Sequence, residues 1–212
     1  MDNNIAIIAI GFIAQGFFSA RIIVQWVLSE RARRVLSPTV FWILSIAGAY
    51  LLCLYGWLRD DFAIVSGQFI SYYIYLWNLK IKGVWRKISA LPACLLLLTP
   101  VAAAGFVADN ATEFAARFLH NDDVPTWLLL FGSAGQVVFT LRFVYQWIYS
   151  RREGASKLPA GFWILSLIGA LSIVTYGIIR SDIVLIVGQS FGVAAYFRNL
   201  VLIKNEKKGT KQ

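Results

Sequence analysis

Apolar residues in this chain come in seven long runs, and the charged residues fall almost wholly between them. The runs cover 5–28, 40–58, 62–82, 88–108, 125–149, 160–179 and 183–203. A helix of about 20 apolar residues crosses the hydrocarbon core of a bilayer, so the pattern predicts seven spanning helices. The intervening charges alternate in sign. Arg31, Arg33 and Arg34 follow the first run, Lys80, Lys82, Arg86 and Lys87 cluster at and after the end of the third, and Arg151, Arg152 and Lys157 follow the fifth. Lys204, Lys207, Lys208 and Lys211 follow the last. The opposite segments carry Asp2, then Asp60 and Asp61, then Asp109, Glu113, Asp122 and Asp123, then Asp182. Basic loops stay on the cytoplasmic side, which predicts a cytoplasmic C-terminus and, with seven spans, an N-terminus outside. The opening Met1-Asp2-Asn3-Asn4 lacks a basic n-region, so no signal peptide is expected.

A second pattern lies over the first. Shifted by 121 residues, the two halves align without a gap. Gln15 meets Gln136, Arg21 meets Arg142, Gln25-Trp26 meets Gln146-Trp147, and Ser29 meets Ser150. Pro38 meets Pro159, Phe41-Trp42-Ile43-Leu44-Ser45 meets Phe162-Trp163-Ile164-Leu165-Ser166, and Gly48 meets Gly169. Arg59, Asp61 and Gln68 meet Arg180, Asp182 and Gln189, and Tyr75 and Asn78 meet Tyr196 and Asn199. Apolar matches can arise from composition; matched Gln, Arg, Asp and Asn at lipid depth cannot. The expected fold is therefore an all-α polytopic membrane protein, with seven transmembrane helices in a 3+1+3 arrangement of parallel repeats. Its parts are a first repeat over 5–82, a linker helix and outer loop over 83–124, a second repeat over 125–203 and a basic tail over 204–212.

Composition agrees. Hydrophobic residues make up 58% and charged residues 15% of the 212, against about 25% charged in soluble domains. The net charge of +9 sits in short loops, which favours anionic lipid over nucleic acid as a partner. Cys53 and Cys94 fall inside apolar runs and read as apolar fillers. No cofactor, metal or catalytic constellation is expected. His120 is the one histidine, and an acyltransferase-type H-x4-D would need Asp where Pro125 stands.

The candidate chemistry lies in the matched polar residues. Arg21 and Gln25 are four apart and share a helix face; Gln15 lies about a third of a turn away. Arg21 and Arg142 have two readings. Either they pair with helix-end carbonyls or a leaflet phosphate, or their guanidinium forks hold the phosphate of a substrate lipid. Gln68, Tyr75 and Asn78, with Gln189, Tyr196 and Asn199, read either as interhelical hydrogen bonds or as a cavity lining. Arg59 and Arg180 read as head-group ligands at the outer face or as partners of Asp61 and Asp182, which also suit helix capping. Ser37-Pro38 fits a helix start with Ser as N-cap and Pro at the first helical position, and Pro159 fits likewise. Gly48 and Gly169 fit close helix approach.

The motifs Q-x2-F-x2-R-x3-Q-W-x2-S, P-x2-F-W-x-L-S-x2-G, Y-x3-R-x-D and G-Q-x6-Y-x2-N-L resemble the lipid-A-disaccharide synthase N-terminal domain family, in both halves. One departure is Trp77, which stands where the second half carries Arg198. That family's three-helix unit is similar to those of SWEET and PQ-loop transporters. The resemblance implies a bacterial inner-membrane protein of lipid A or envelope-glycan metabolism. With the parallel repeats, the matched Arg and Gln and the many aromatics able to stack on sugar, the expected function is that of a transporter, a flippase for a lipid-linked sugar such as a polyprenyl-phosphate glycoside. The alternatives are an accessory subunit of a glycosyltransferase and a small-sugar carrier. No glycosyltransferase domain is recognisable in these residues, so disaccharide synthase activity is not expected of them. Membrane lipids, a lipid-linked sugar and a glycosyltransferase are the implied partners.

Overall fold

A computed structural model describes residues 2–58, 62–107, 125–181 and 183–209. All regular structure among the described residues is helical. Seven α-helices occupy Asp2–Ala32 (α1), Thr39–Leu58 (α2), Phe62–Ile81 (α3), Ala90–Val107 (α4), Thr126–Arg152 (α5), Ala160–Ile179 (α6) and Ile183–Gly209 (α7), with a 3-10 turn at Val84–Lys87. Among the described residues, three stretches are long and apolar enough to cross a membrane: Ala9–Ala32, Thr126–Arg152 and Ala160–Ile179. Two apolar helical stretches, Thr39–Tyr55 and Ala90–Ala102, are shorter. The all-helical expectation is met, with three candidate spans where the apolar runs suggested seven.

The chain forms two compact units that do not follow the repeat boundaries. One joins Met1–Arg21 to Thr39–His120; the other joins Ile22–Pro38 to Asn121–Gln212. Helix α1 is thus divided directly after Arg21. In the first unit Phe41, Trp42, Ala49, Cys53, Tyr72 and Tyr75 are buried. Tyr72 and Tyr73 donate from α3 to the Leu96 and Leu97 carbonyls of α4 (2.7 and 2.8 Å). In the second unit Phe143, Phe162, Trp163, Ala170, Ala195, Tyr196 and Leu202 fill the core. Each core centres on one tryptophan edge-on to the preceding phenylalanine. The ring centroids are 4.8 Å apart for Phe41 and Trp42 and 4.9 Å apart for Phe162 and Trp163.

Equivalent turns end α1 and α5. Arg34 N–H reaches back to the Ser29 carbonyl, and Ala155 N–H to that of Ser150 (both 3.2 Å). This six-residue closure requires a left-handed residue just past the helix. Gly154 supplies it at φ 64, while the first turn forces Arg33 to φ 52, at a cost of about 1 kcal/mol relative to glycine.

The proline expectation needs a correction. α2 and α6 begin one residue later than expected, at Thr39 and Ala160, and Pro159 is the extended N-cap residue (φ −73, ψ 166). Ser37 instead turns its hydroxyl to Ser156 Oγ at 2.9 Å. That bond joins the 33–38 loop to the 153–159 loop, an option invisible to a local capping rule.

Candidate functional site

Each repeat gathers one arginine from its first helix, one serine from its second and one tyrosine from its third. Arg21 on α1 donates to Ser45 Oγ on α2 (3.0 Å) and Tyr75 Oη on α3 (3.2 Å). Arg142 on α5 donates to Ser166 Oγ on α6 (3.3 Å) and Tyr196 Oη on α7 (3.2 Å). Ser45 and Ser166 pass their own protons to the Phe41 and Phe162 carbonyls one turn back (both 2.6 Å). Their lone pairs are thereby aimed at the guanidinium groups. Aromatic rings close each cluster. The Arg21 guanidinium lies 4.6 Å from the Phe18 ring centre and 5.5 Å from that of Phe41. Arg142 lies 3.4 Å from Phe139 and 4.7 Å from Phe143. Both arginines are nearly enclosed, at 6% and 3% exposure. An arginine at the helix centre costs about 2.5–3.5 kcal/mol on insertion scales. Ring faces returning about 0.5–2 kcal/mol each, together with charge-assisted hydrogen bonds to hydroxyls, offset a cost of that size. The clusters therefore tie three helices together in each repeat.

Gln25 and Gln146 form a second repeated device, one turn further along. Gln25 Nε2 donates to Ser29 Oγ (2.9 Å) and to the Leu36 carbonyl (3.3 Å), while Ser29 Oγ accepts the Leu36 N–H (3.0 Å). Gln146 Nε2 reaches Ser150 Oγ (2.8 Å) and the Lys157 carbonyl (3.0 Å), and Ser150 Oγ accepts the Lys157 N–H (3.0 Å). Each Gln-x3-Ser pair clasps the loop that follows its helix. Gln25 also exchanges hydrogen bonds with Asn199 (2.9 and 3.2 Å). Asn78 and Asn199 donate to carbonyls one turn back, those of Ile74 and Ala195 (2.9 and 2.8 Å).

The remaining expected residues lie elsewhere. Gln15 and Gln136 are exposed, about a third of a turn around their helices from Arg21 and Arg142. Gln68 and Gln189 are half-buried. Arg180 is an exposed residue ending α6, its N–H on the Tyr176 carbonyl (3.0 Å). Arg59, Asp61 and Asp182 lie outside the described residues, as do His120 and the acidic loop. Cys53 is buried and Cys94 exposed, both as free thiols.

The fold adds long-range pairings that local reasoning missed. Arg198 of α7 forms a forked ion pair with Glu30 of α1, and Trp26 packs edge-on against Phe191 at 5.9 Å. The 121-residue equivalents of Glu30 and Arg198 are Arg151 and Trp77, so this ion pair is made once. The signal lay in two unlike substitutions at matched positions, Glu30 against Arg151 and Arg198 against Trp77.

Comparison with known proteins places this geometry in a family. The profile described as Lipid A Biosynthesis N-terminal domain matches residues 10–80 and again 131–201. The second match begins 121 residues after the first, the same offset as the internal repeat. A lipid-A-disaccharide synthase of Chlamydia pneumoniae is 30% identical over 207 residues, covering 95% of this chain and 34% of the relative. The protein of that name in Chlamydia abortus is 31% identical over 210 residues (94% and 33%), and that in Chlamydia trachomatis serovar D 28% over 211 (93% and 34%). The chain thus spans about a third of the length of the curated relatives it matches. No solved structure matches it. These findings correct the flippase expectation and its sugar-carrier alternative. The matching relatives carry the name of a lipid A biosynthetic enzyme rather than that of a transporter. The chain belongs to the Lipid A Biosynthesis N-terminal domain family.

Proposed function

We propose that this chain works in the lipid-A-disaccharide synthase step, as the helical membrane part that keeps glycosyl-transfer chemistry and an acylated lipid A precursor at the inner membrane. The observation that carries this reading is the alignment of 95% of the chain with about a third of a relative named for that activity. The chain's own contribution is placement rather than bond making. Buried polar side chains tie helices and loops together within each unit, which suits a platform. Gln15, Gln136, Gln68 and Gln189, exposed or half-buried, are the members of the expected polar set open to a lipid-linked substrate.

In this reading all seven helices span the bilayer in a 3+1+3 order, with the N-terminus periplasmic and the C-terminus cytoplasmic. The support is the one-sided distribution of basic loops. A reporter fused after residue 212 is expected to signal from the cytoplasm, and one inserted within 109–124 from the periplasm. The reverse pattern overturns the orientation.

A chimera tests the function. The matching third of a Chlamydia synthase is replaced by this chain, and disaccharide formation is measured in membranes against a deletion of that third. The deletion is expected to lose activity on the order of 100-fold, the low end of what holding two partners together supplies, and the chimera to regain most of it. A chimera that inserts but is no more active than the deletion overturns the reading. So does a deletion as active as the intact enzyme.

A further inference from the structure

A cavity of about 1070 Å³ opens within the unit formed by Ile22–Pro38 and Asn121–Gln212. Its walls come from the 33–38 loop, the 153–159 loop, one face of α5, the start of α6 and the end of α7. The devices described above hold those walls in place. Gln25 and Ser29 clasp Leu36, Gln146 and Ser150 clasp Lys157, and the Ser37–Ser156 bond joins the two loops. Tyr145 and Tyr149, one turn apart on α5, line the cavity with rings 6.5 Å apart and 29° from parallel. Gly161 makes room for the first of them, since any β-carbon there would collide with the Tyr145 ring.

The chemistry of the lining is specific. Arg34, Lys157 and Lys204 contribute three cations, and Glu206 is the one carboxylate among the lining residues. Glu153 sits outside the lining and shares Lys157 through a 2.6 Å ion pair. Leu36, Leu158 and Ile203 supply an apolar flank. The positive end of the α6 dipole, at Ala160 and Gly161, adds to the same potential. Cations select phosphate, tyrosine faces suit the C–H faces of a sugar ring, and the volume matches the upper end of small-molecule sites, about 300–1,000 Å³.

We propose that this cavity binds a phosphorylated sugar, either free or as the head group of an amphiphile. The inference stands on the cavity alone and does not depend on the synthase reading. It differs from the Arg21 and Arg142 clusters, whose guanidinium groups are enclosed by rings and hydroxyls of their own repeats.

Binding is measured by calorimetry on the full chain in neutral-lipid nanodiscs. Glucose 1-phosphate is the soluble arm and decyl glucosyl phosphate the amphiphile arm, with glucose and inorganic phosphate as controls. At least one arm is expected to saturate the chain, more tightly than either control. Arg34→Ser and Lys204→Ser change exposed side chains and leave the core intact. Each is expected to weaken binding about fivefold, the scale of one exposed charge contact, and Lys204→Arg to restore it. Saturation by glucose 1-phosphate identifies a soluble sugar phosphate as sufficient. Saturation by the decyl compound alone identifies a lipid head group. The proposal is overturned if neither arm binds, if a control binds as tightly, or if both serine variants bind like the wild type.

Discussion

Gly169→Leu is expected to be the most damaging single substitution in the second unit, and far worse than Gly48→Leu at the equivalent position in the first. A β-carbon on Gly169 would stand 2.8 Å from the Phe139 backbone nitrogen and 2.9 Å from its α-carbon. Helix backbone cannot swing aside, so α5 and α6 would have to separate. At Gly48 the nearest atoms are the Phe18 ring edge at 3.0 Å and the Ala14 carbonyl oxygen at 3.1 Å, so a shift of a few tenths of an ångström suffices. Overpacking costs about 1–3 kcal/mol and sometimes more, while replacing a helical glycine returns up to about 1 kcal/mol. Gly48→Ala should therefore come out near zero and Gly169→Ala about 1–2 kcal/mol destabilised. Gly169→Leu should lose about 3 kcal/mol or more, a fall of about 5–10 °C in melting temperature for a chain of this size. Thermal unfolding of the four detergent-solubilised variants checks it. Equal melting of the Gly48 and Gly169 variants would show that these close approaches do not set the packing.

The next largest effect is expected from Gln25→Leu. Gln25 is fully buried, and leucine is close to it in size, so little cavity is left behind. What disappears is a set of hydrogen bonds, to Ser29, Leu36 and Asn199. A buried group left without a partner in water-soluble proteins costs about 1–3 kcal/mol. Hydrogen bonds between membrane helices average only about 0.6 kcal/mol. Gln25 lies near the end of the first apolar run, where the Leu36 carbonyl can be rehydrated but Asn199 cannot. A total loss of about 2 kcal/mol is expected. Stability alone would not separate a clasp from ordinary packing, so the second readout is limited proteolysis at 33–38. Freed of its clasp, that loop should be cut faster, and Ser29→Ala should show the same acceleration with a smaller loss of stability. Gln25→Leu with unchanged cleavage would mean that the loop is held by something else.

These two residues illustrate what was legible. The Gly48 and Gly169 match already indicated close helix approach, because only packing demands a missing side chain at the same place twice. The difference between the two sites was not legible, since it depends on how closely the facing backbone approaches each glycine, 3.1 Å at Gly48 and 2.8 Å at Gly169. The i, i+4 spacing of Arg21 and Gln25 placed them on one face, and both are buried. Gln15, off that phase, is exposed. Whether the buried face lined a cavity or joined helices was undetermined, because a guanidinium poised for phosphate and one held by hydroxyls have the same local pattern.

Hydrophobic periodicity and the 121-residue match, both carried by local order along the chain, determined that this protein is helical and twofold repeated, and which side chains turn inward. Tertiary structure alone decided the partners. Gln25 meets Asn199, 174 positions away, and Glu30 meets Arg198, 168 positions away. Such pairs depend on which helices pack together, and no spacing rule reaches across those distances. The same is true of the division of α1 after Arg21 and of the cationic, tyrosine-lined cavity. Its walls come from five separate segments, none of which is distinctive until packing brings them together.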